Sequence, residues 1–286
     1  MSEQESLRQA AEAVLDAEAM IIGAGAGMGV DSGLPDFRGN EGFWKAYPPY
    51  EHLGLSFVQM ANPRWFATDP AMAWGFYGHR MNLYRAATPH EGFAILRRWA
   101  ERLKHNAAVY TSNVDGAFQK AGFDPDCVME VHGSCHWMQC LDDCGAGLFS
   151  SDSVHPGEVV VDPATARAAE PLPKCPKCGG LARPNVLMFG DGGWDERRSF
   201  EQEQRLGRWL RSVAGQRVVV IECGAGTAVP TVRHFCEAMA ARFRGTLVRI
   251  NVREPQVPPG RHIGLAMGAL AALREIDRLA SAGAGP

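Results

Sequence analysis

A helix-like stretch that runs into a short, wholly apolar strand, repeated along the chain, most narrows what this sequence can fold into. Residues 5–18 place apolar side chains at helical spacing and lead into the apolar run 19–22. The passage recurs as 93–103 before 107–111, 200–213 before 218–221, and 232–243 before 246–250. Strands that are apolar at every position, rather than at every second one, are buried on both faces. That demands a parallel sheet with helices on each side. The expected fold class is therefore α/β, a doubly wound parallel sheet, and 286 residues of 46% hydrophobic composition suffice for its core.

Two stretches break the rhythm. Residues 40–92 are rich in aromatics, Pro and Met, with one helical segment near 71–85, and residues 134–183 hold cysteines around a Gly, Ser and Pro-rich middle. Both read as insertions forming a smaller domain, a helical module (40–92) and a metal module (134–183). Residues 1–39, 93–133 and 184–286 are left for the sheet domain. In the second insertion Cys140 and Cys144 form a C-x3-C pair, and thirty residues later Cys175 and Cys178 form a C-x2-C knuckle followed by two glycines. Four thiolates in two short pairs suit tetrahedral zinc, and a site closed by four cysteines has no open position for water, so this zinc is structural. Cys135 reads as a packing residue, and Cys127, Cys223 and Cys236 as small buried hydrophobes.

After the first strand comes Gly23-Ala24-Gly25-Ala26-Gly27-Met28-Gly29. Small residues there let backbone amides approach a pyrophosphate, with a following helix N-terminus adding its dipole. A glycine-rich turn with no ligand fits the loop alone equally well. The residues downstream decide between the two: Val30-Asp31-Ser32-Gly33-Leu34-Pro35-Asp36-Phe37-Arg38-Gly39, then Thr111-Ser112-Asn113-Val114-Asp115-Gly116, Val131-His132-Gly133-Ser134, Arg183-Pro184-Asn185-Val186 and Phe189-Gly190-Asp191. In this order the motifs resemble those of the sirtuin family, over about residues 18–275, with a Rossmann-like large domain.

The resemblance implies an NAD-dependent protein-lysine deacylase. In sirtuins the acyl-lysine oxygen attacks the ribose carbon bearing nicotinamide, nicotinamide leaves, and a histidine activates a ribose hydroxyl against the resulting imidate. The products are free lysine and an O-acyl-ADP-ribose. His132 takes the histidine's place, consistent with an imidazole's titration near neutrality. Asn113 and Asp115 would position the nicotinamide ribose and the reacting water, and Asp36 the carboxamide. Phe37 would cover the reacting face and Arg38 complete the cofactor loop, with Gly25, Ala26, Gly27 and Ser112 also at the cofactor. Gly224, Gly226, Thr227 and Asn251 resemble the adenosine-side contacts.

Departures accompany these matches. Gly29 stands where the family usually has Ser, Ser112 where it has Gln or Thr, and Asp191 where it has Glu, while the Gly-Thr-Ser motif reads Gly224-Ala225-Gly226-Thr227-Ala228. Tyr77 and Arg80 resemble the pair by which one sirtuin class grips acidic acyl groups such as succinyl and malonyl. Their i, i+3 spacing puts both on one helix face. The plainer alternative makes Tyr77 core and Arg80 a solvated charge.

The bulk of the chain argues against other classes. A net charge of -3 gives no reason to expect nucleic acid as a partner. No stretch approaches the roughly 18 to 20 apolar residues that would span a bilayer, and no secretory signal is legible near the N-terminus. The expected partner is acylated lysine in protein or peptide and the expected location cytoplasmic. ADP-ribosyl transfer to protein and NAD glycohydrolase action remain alternatives from related chemistry. A non-enzymatic NAD or ADP-ribose sensor is the alternative from another class, and intact His132 and Asn113 count against it.

Overall fold

A computed structural model describes residues 2–35 and 39–283, with the side chains of 39–41 outside the description. The first apolar run forms β1 (Ala19–Ala24), preceded by α1 (Glu3–Asp16), whose start is fixed by the Ser2 hydroxyl accepting from the Glu5 N–H. The next unit is α2 (Gly39–Ala46), α3 (Pro48–His52), α4 (Phe57–Met60), α5 (Arg64–Thr68) and the long α6 (Pro70–Ala86). Then α7 (Glu91–Arg102), β2 (Ala107–Thr111), the single-turn α8 (Ala117–Lys120) and β3 (Val128–Glu130) return to the sheet. The second insertion holds β4 (Gly133–Cys140), β5 (Leu148–Ser150), α9 (Ser151–Val154), β6 (Val161–Asp162), β7 (Arg167–Ala168) and β8 (Ala182–Val186). The chain finishes with α10 (Arg197–Ser212), β9 (Val218–Cys223), α11 (Thr231–Phe243), β10 (Thr246–Ile250), β11 (Ile263–Leu265) and α12 (Ala269–Gly283).

The large sheet has six strands in the order β11-β10-β9-β1-β2-β3, every neighbouring pair parallel. Its two faces are separately sealed. Met20 and Ile22 join a core with α1, α7 and α12, while Ala19 and Ile21 join another with α10 and α11. This is the doubly wound arrangement that the unbroken apolar strands require. The last strand and helix, β11 and α12, do not separate in the sequence, where 263–273 is only a short, glycine-broken apolar run. In α12 Leu273, Ile276 and Ala280 recur at helical spacing and are buried.

The two insertions share one core. Phe43, Tyr50, Trp74, Phe76 and Tyr77 of the helical module pack with Cys135, Met138, Val159, Ala168 and Val186, which belong to or border the cysteine module. Tyr50 Oη donates to the Ala166 carbonyl at 3.1 Å, and Trp74 Nε1 to that of Ala182 at 3.0 Å. β4, β8 and β5 form a three-stranded antiparallel sheet, so β8 continues the cysteine module across position 183 as far as Val186. Among the described residues no helix is long and apolar enough to cross a membrane.

Candidate functional site

β1 lies between β2 and β9, and the chain leaves it in one direction toward β2 and β3 and later fills the other side with β9 to β11. Such a reversal opens a crevice at the carboxyl ends of the central strands, where open α/β sheets bind ligands. The glycine loop after β1 and the loop after β9 meet there. Gly25 and Gly27 donate their N–H groups to the carbonyls of Cys223 and Gly224, each at 3.0 Å. Gly224 has a left-handed backbone, φ 64°, and a Cβ on it would lie 2.4 Å from Gly27 C and Met28 N, so only glycine fits. The amides of Gly25 and Gly27 therefore hold the neighbouring loop, while Ala26 is exposed.

The end of β10 closes the same assembly. Asn251, buried, donates from Nδ2 to the Ala225 carbonyl at 2.7 Å, and its Oδ1 accepts from the N–H groups of Arg253 and Glu254 at 3.1 Å. The Glu254 carboxylate accepts from the Thr227 N–H at 3.1 Å and the Thr227 hydroxyl at 2.5 Å.

On the other side of β1, the end of β2 is stapled to the glycine loop. Thr111 Oγ1 and the Ser112 N–H both donate to the Ala24 carbonyl, at 3.0 and 3.1 Å, and Asn113 donates from Nδ2 to the Gly25 carbonyl at 3.0 Å. The Asp115 carboxylate accepts from the Ala117 N–H at 2.9 Å at the start of α8. Burial pushes its pKa up in spite of that bond.

His132 sits half-buried in the turn between β3 and β4. Burial holds its imidazole below the ordinary histidine range, against the opposing effect of a hydrogen bond with the Ser112 backbone. Its backbone is pinned on both sides. The Leu187 N–H donates to the His132 carbonyl at 3.0 Å, and a Cβ at Gly133 would lie 2.1 Å from the Asn185 carbonyl oxygen. Two residues earlier, the buried Glu130 is held by Arg198, and its N–H donates to Gln202 Oε1 at 3.1 Å.

In the cysteine module the sulfurs of Cys140, Cys144, Cys175 and Cys178 all lie within 4.8 Å of one another, with Cys140 to Cys178 and Cys144 to Cys175 at 3.6 Å. Four sulfurs so gathered are positioned to hold a tetrahedral zinc ion. Without a metal the clustered thiols share their protons unevenly. Burial resists ionisation of Cys175, but the N–H groups of Cys178 and Lys177 outweigh it and bring that thiol down, while burial and the neighbouring thiols push Cys144 up, and Cys140 pushes Cys178 up against the Gly180 N–H.

Residues 25–205 match the Sir2 family. The chain belongs to that family. It is 31% identical over 250 residues, 86% of each protein, to the NAD-dependent protein deacylase 1 of Archaeoglobus fulgidus. To the NAD-dependent protein deacylase 1 of Pseudomonas aeruginosa it is 34% identical, over 65% of this chain and 67% of that one. The match to the Aquifex aeolicus NAD-dependent protein deacylase, 35% identical, spans 58% of this chain and 59% of that protein. Among solved structures, a Sir2 homologue in complex with NAD superposes with a TM-score of 0.68 at 26% identity, covering 96% of this chain and 93% of that one. A Sir2 homologue mutant with ADP-ribose gives 0.68 at 27%, covering 96% of both.

Of the other residues that the sequence singles out in this sirtuin, Asp36, Phe37 and Arg38 lie outside the described residues. Tyr77 is core, 1% exposed, its ring against Phe66 and Phe76. Arg80 is not a solvated charge. It is buried, its guanidinium lies over the Phe76 and Tyr84 rings, and Nε and Nη2 donate to Tyr84 Oη at 2.9 and 2.6 Å. Tyr84 is not among the residues picked out from sequence. The signal is present there, because i, i+4 neighbours on a helix face one another. Asp191 forms a buried ion pair with Arg183 and accepts from the N–H groups of Met188 and Gly193 at 3.3 and 3.2 Å. A cleft of about 800 Å³ also opens beside β4, but its Arg85, Arg198 and Arg205 are paired with Asp152, Glu130 and Asp126, so their charges are already answered within the chain.

Proposed function

We propose that this sirtuin removes acyl groups from lysine side chains of proteins in a reaction that consumes NAD and releases nicotinamide and an O-acyl-ADP-ribose. The observation that carries the reading is His132, half-buried in the turn after β3, its imidazole held below the ordinary histidine range by burial beside the backbone of Ser112, next to Asn113. NAD, when bound, supplies the ribose carbon that receives the acyl oxygen and the nicotinamide that leaves. An imidazole held below its ordinary pKa is neutral at physiological pH, as a base that takes a proton from a ribose hydroxyl must be.

Asn113 is oriented for the nicotinamide ribose by its bond to the Gly25 carbonyl, and Asp115 supports the same end. Gly25, Ala26 and Gly27 line the phosphate side of the cradle, Ser112 meets the cofactor beside Asn113, and Gly224, Gly226, Thr227 and Asn251 line the adenosine side. By the sirtuin resemblance Asp36 would hold the carboxamide, Arg38 would complete the cofactor loop, and Phe37 would cover the reacting face against water, the condition for acyl transfer rather than plain hydrolysis. The cofactor-binding domain is 1–39, 93–133 and 184–286, except that Gly133 and the stretch up to Val186 are lent to the small sheet. The zinc of Cys140, Cys144, Cys175 and Cys178 stiffens the small domain and takes no part in chemistry. Thiol usage of this kind fits a cytoplasmic site of action.

The finer proposal concerns the acyl group. A guanidinium kept charged inside an aromatic core costs several kcal/mol to desolvate and is retained where a charge is needed. Burial works against the charged form of Arg80, but a guanidinium holds its proton far above neutral pH, and two of its donors are met by Tyr84 Oη, so it stays a cation. With Tyr77 beside it, this cation suits the carboxylate of a succinyl or malonyl group.

The test is nicotinamide release with NAD and a panel of acetyl, succinyl and malonyl lysine peptides, each followed by mass spectrometry. Peptide-dependent release with loss of the acidic groups, weakened by Arg80→Met, is the expected result. Deacetylation alone would remove the acidic-acyl assignment. Release that ignores the peptides would replace deacylation with NAD hydrolysis or transfer to another acceptor.

A further inference from the structure

The loops that meet at the crevice are tied together from below by one side chain. Arg233 lies on the first turn of α11 and is 7% exposed. Its Nη1 donates to the carbonyls of Ala225 at 3.2 Å and Glu254 at 3.0 Å, and its Nη2 to that of Gln256 at 3.2 Å. One guanidinium thus bridges the loop after β9 to the loop after β10. A planar fork can reach carbonyls on two loops at once, whereas a lysine ammonium is a single point of charge. A second buried arginine braces the first. Arg249 donates to the Gln256 carbonyl at 2.5 Å and is neutralised by Glu222 and Glu237 at 2.6 and 2.8 Å.

The bridge continues upward to the glycine loop. Ala225 also accepts from Asn251, and a Cβ on Gly25 would lie 2.7 Å from Ala225 Cα, so the two loops rest on each other's backbone. Ala225 therefore sets where the backbone of Gly25 rests.

We infer that Arg233 is a positioning residue for the cofactor. It sets the spacing of the 224–228 and 251–256 loops, and through Ala225 the glycine loop, so that the adenosine end of NAD meets a preformed cradle. The inference rests on the NAD-binding reading of this crevice. It concerns affinity for the nucleotide and not the acyl-transfer step, because the guanidinium spends its hydrogen bonds on Ala225, Glu254 and Gln256, away from His132 and Asn113. Loss of the fork takes a donor from the Glu254 carbonyl, while those of Ala225 and Gln256 keep Asn251 and Arg249, and it removes the tie between the two loops. At roughly 1–3 kcal/mol for each unsatisfied buried group, even one such loss expressed in binding weakens it about tenfold.

The experiment uses the full chain and measures ADP-ribose binding by calorimetry, and KM for NAD and kcat at saturating NAD in the deacylation assay. Arg233→Met is expected to raise both the ADP-ribose Kd and the NAD KM about tenfold, with kcat within about twofold of the parent. Arg233→Lys, which keeps the charge but not the fork, should fall between the two, and serves alone if the Met variant does not fold. Hydrogen exchange should quicken at the amides of 224–228 and 251–256. Unchanged Kd and KM in both variants would overturn the inference, as would a fall in kcat with KM unmoved. If the parent protein itself binds neither NAD nor ADP-ribose, the functional proposal fails, and Arg233 positions nothing.

Discussion

Replacing Gly224 by Ala tests the geometry of the crevice at its tightest point. The residue has φ 64°, and a Cβ there meets Gly27 C and Met28 N at 2.4 Å and Gly27 Cα at 2.5 Å. All three are backbone atoms, so no rotamer change relieves the overlap. A comfortable contact of about 3.5 Å requires the glycine loop to retreat by roughly 1 Å. The left-handed conformation costs a Cβ-bearing residue about 1–2 kcal/mol, and overpacking of a tight site typically adds about 1–3 kcal/mol. The sum is roughly 2–5 kcal/mol. At about 2–4 °C per kcal/mol for chains of 150–250 residues, the melting midpoint should fall by roughly 4–20 °C. The same displacement carries Gly25 away from Asn113, and a 1 Å misplacement can cost about a hundredfold in rate. Thermal melts, ADP-ribose calorimetry and NAD-dependent nicotinamide release measure the three effects. A Gly224→Ala protein that melts, binds and turns over like the parent would refute the claim that these two loops interlock through their backbones.

His132→Ala should abolish NAD-dependent deacylation with the fold intact by circular dichroism, and normal turnover would sink the assigned mechanism. Because burial lowers the His132 pKa, the native state binds fewer protons than the unfolded one between the native value and about 6.5. Its contribution to stability is present above about 6.5 and is lost as pH falls through the native value, and the acid limb of kcat/KM should likewise lie below 6.5. Cys175→Ala should lose zinc and solubility, checked by metal analysis and melting, while full stability with zinc-free activity would remove the structural-metal assignment. Arg183→Met strands the wholly buried Asp191 carboxylate, and should cost about 3–5 kcal/mol in denaturant unfolding.

Strands 107–111 and 246–250 were legible in the sequence because an apolar run bounded by polar residues admits little else. The four cysteines were legible because short paired spacing survives whatever fold surrounds it. What sequence did not disclose was pairing over distance. Strand β8 is visible as a motif, Arg183 to Val186, but not as the partner of β4, since their register depends on a chain reversal through some forty residues of irregular structure. Likewise Glu222 and Arg249 each look like a charge ending an apolar strand. They are directly opposed across β9 and β10, which makes them a buried ion pair. The signal was opposite charge at matching positions of two strands, and it becomes readable only once the strands are known to be neighbours.

The departures from the sirtuin pattern become intelligible when each is asked whether side chain or backbone holds the loop. Ser112 stands where the family has a longer side chain, yet what the structure uses of it is its N–H on Ala24 and its backbone toward His132. Ala225 belongs to the altered Gly-Thr-Ser segment, yet what holds it is its carbonyl, which accepts from both Asn251 and Arg233. Gly29 packs its backbone near Leu34, where an added Cβ would press at 2.9 Å on the flexible Leu34 Cδ1. The shorter Asp191 is met by Arg183, which reaches it from β8. In three of these four positions the loop is held by groups that every residue type carries, and in the fourth a partner makes up the lost length. The crevice therefore keeps its shape through substitutions that would disable one built on side-chain contacts, and sensitivity should concentrate instead at Gly224, where a Cβ cannot enter, and at Arg233, whose fork no other residue reproduces.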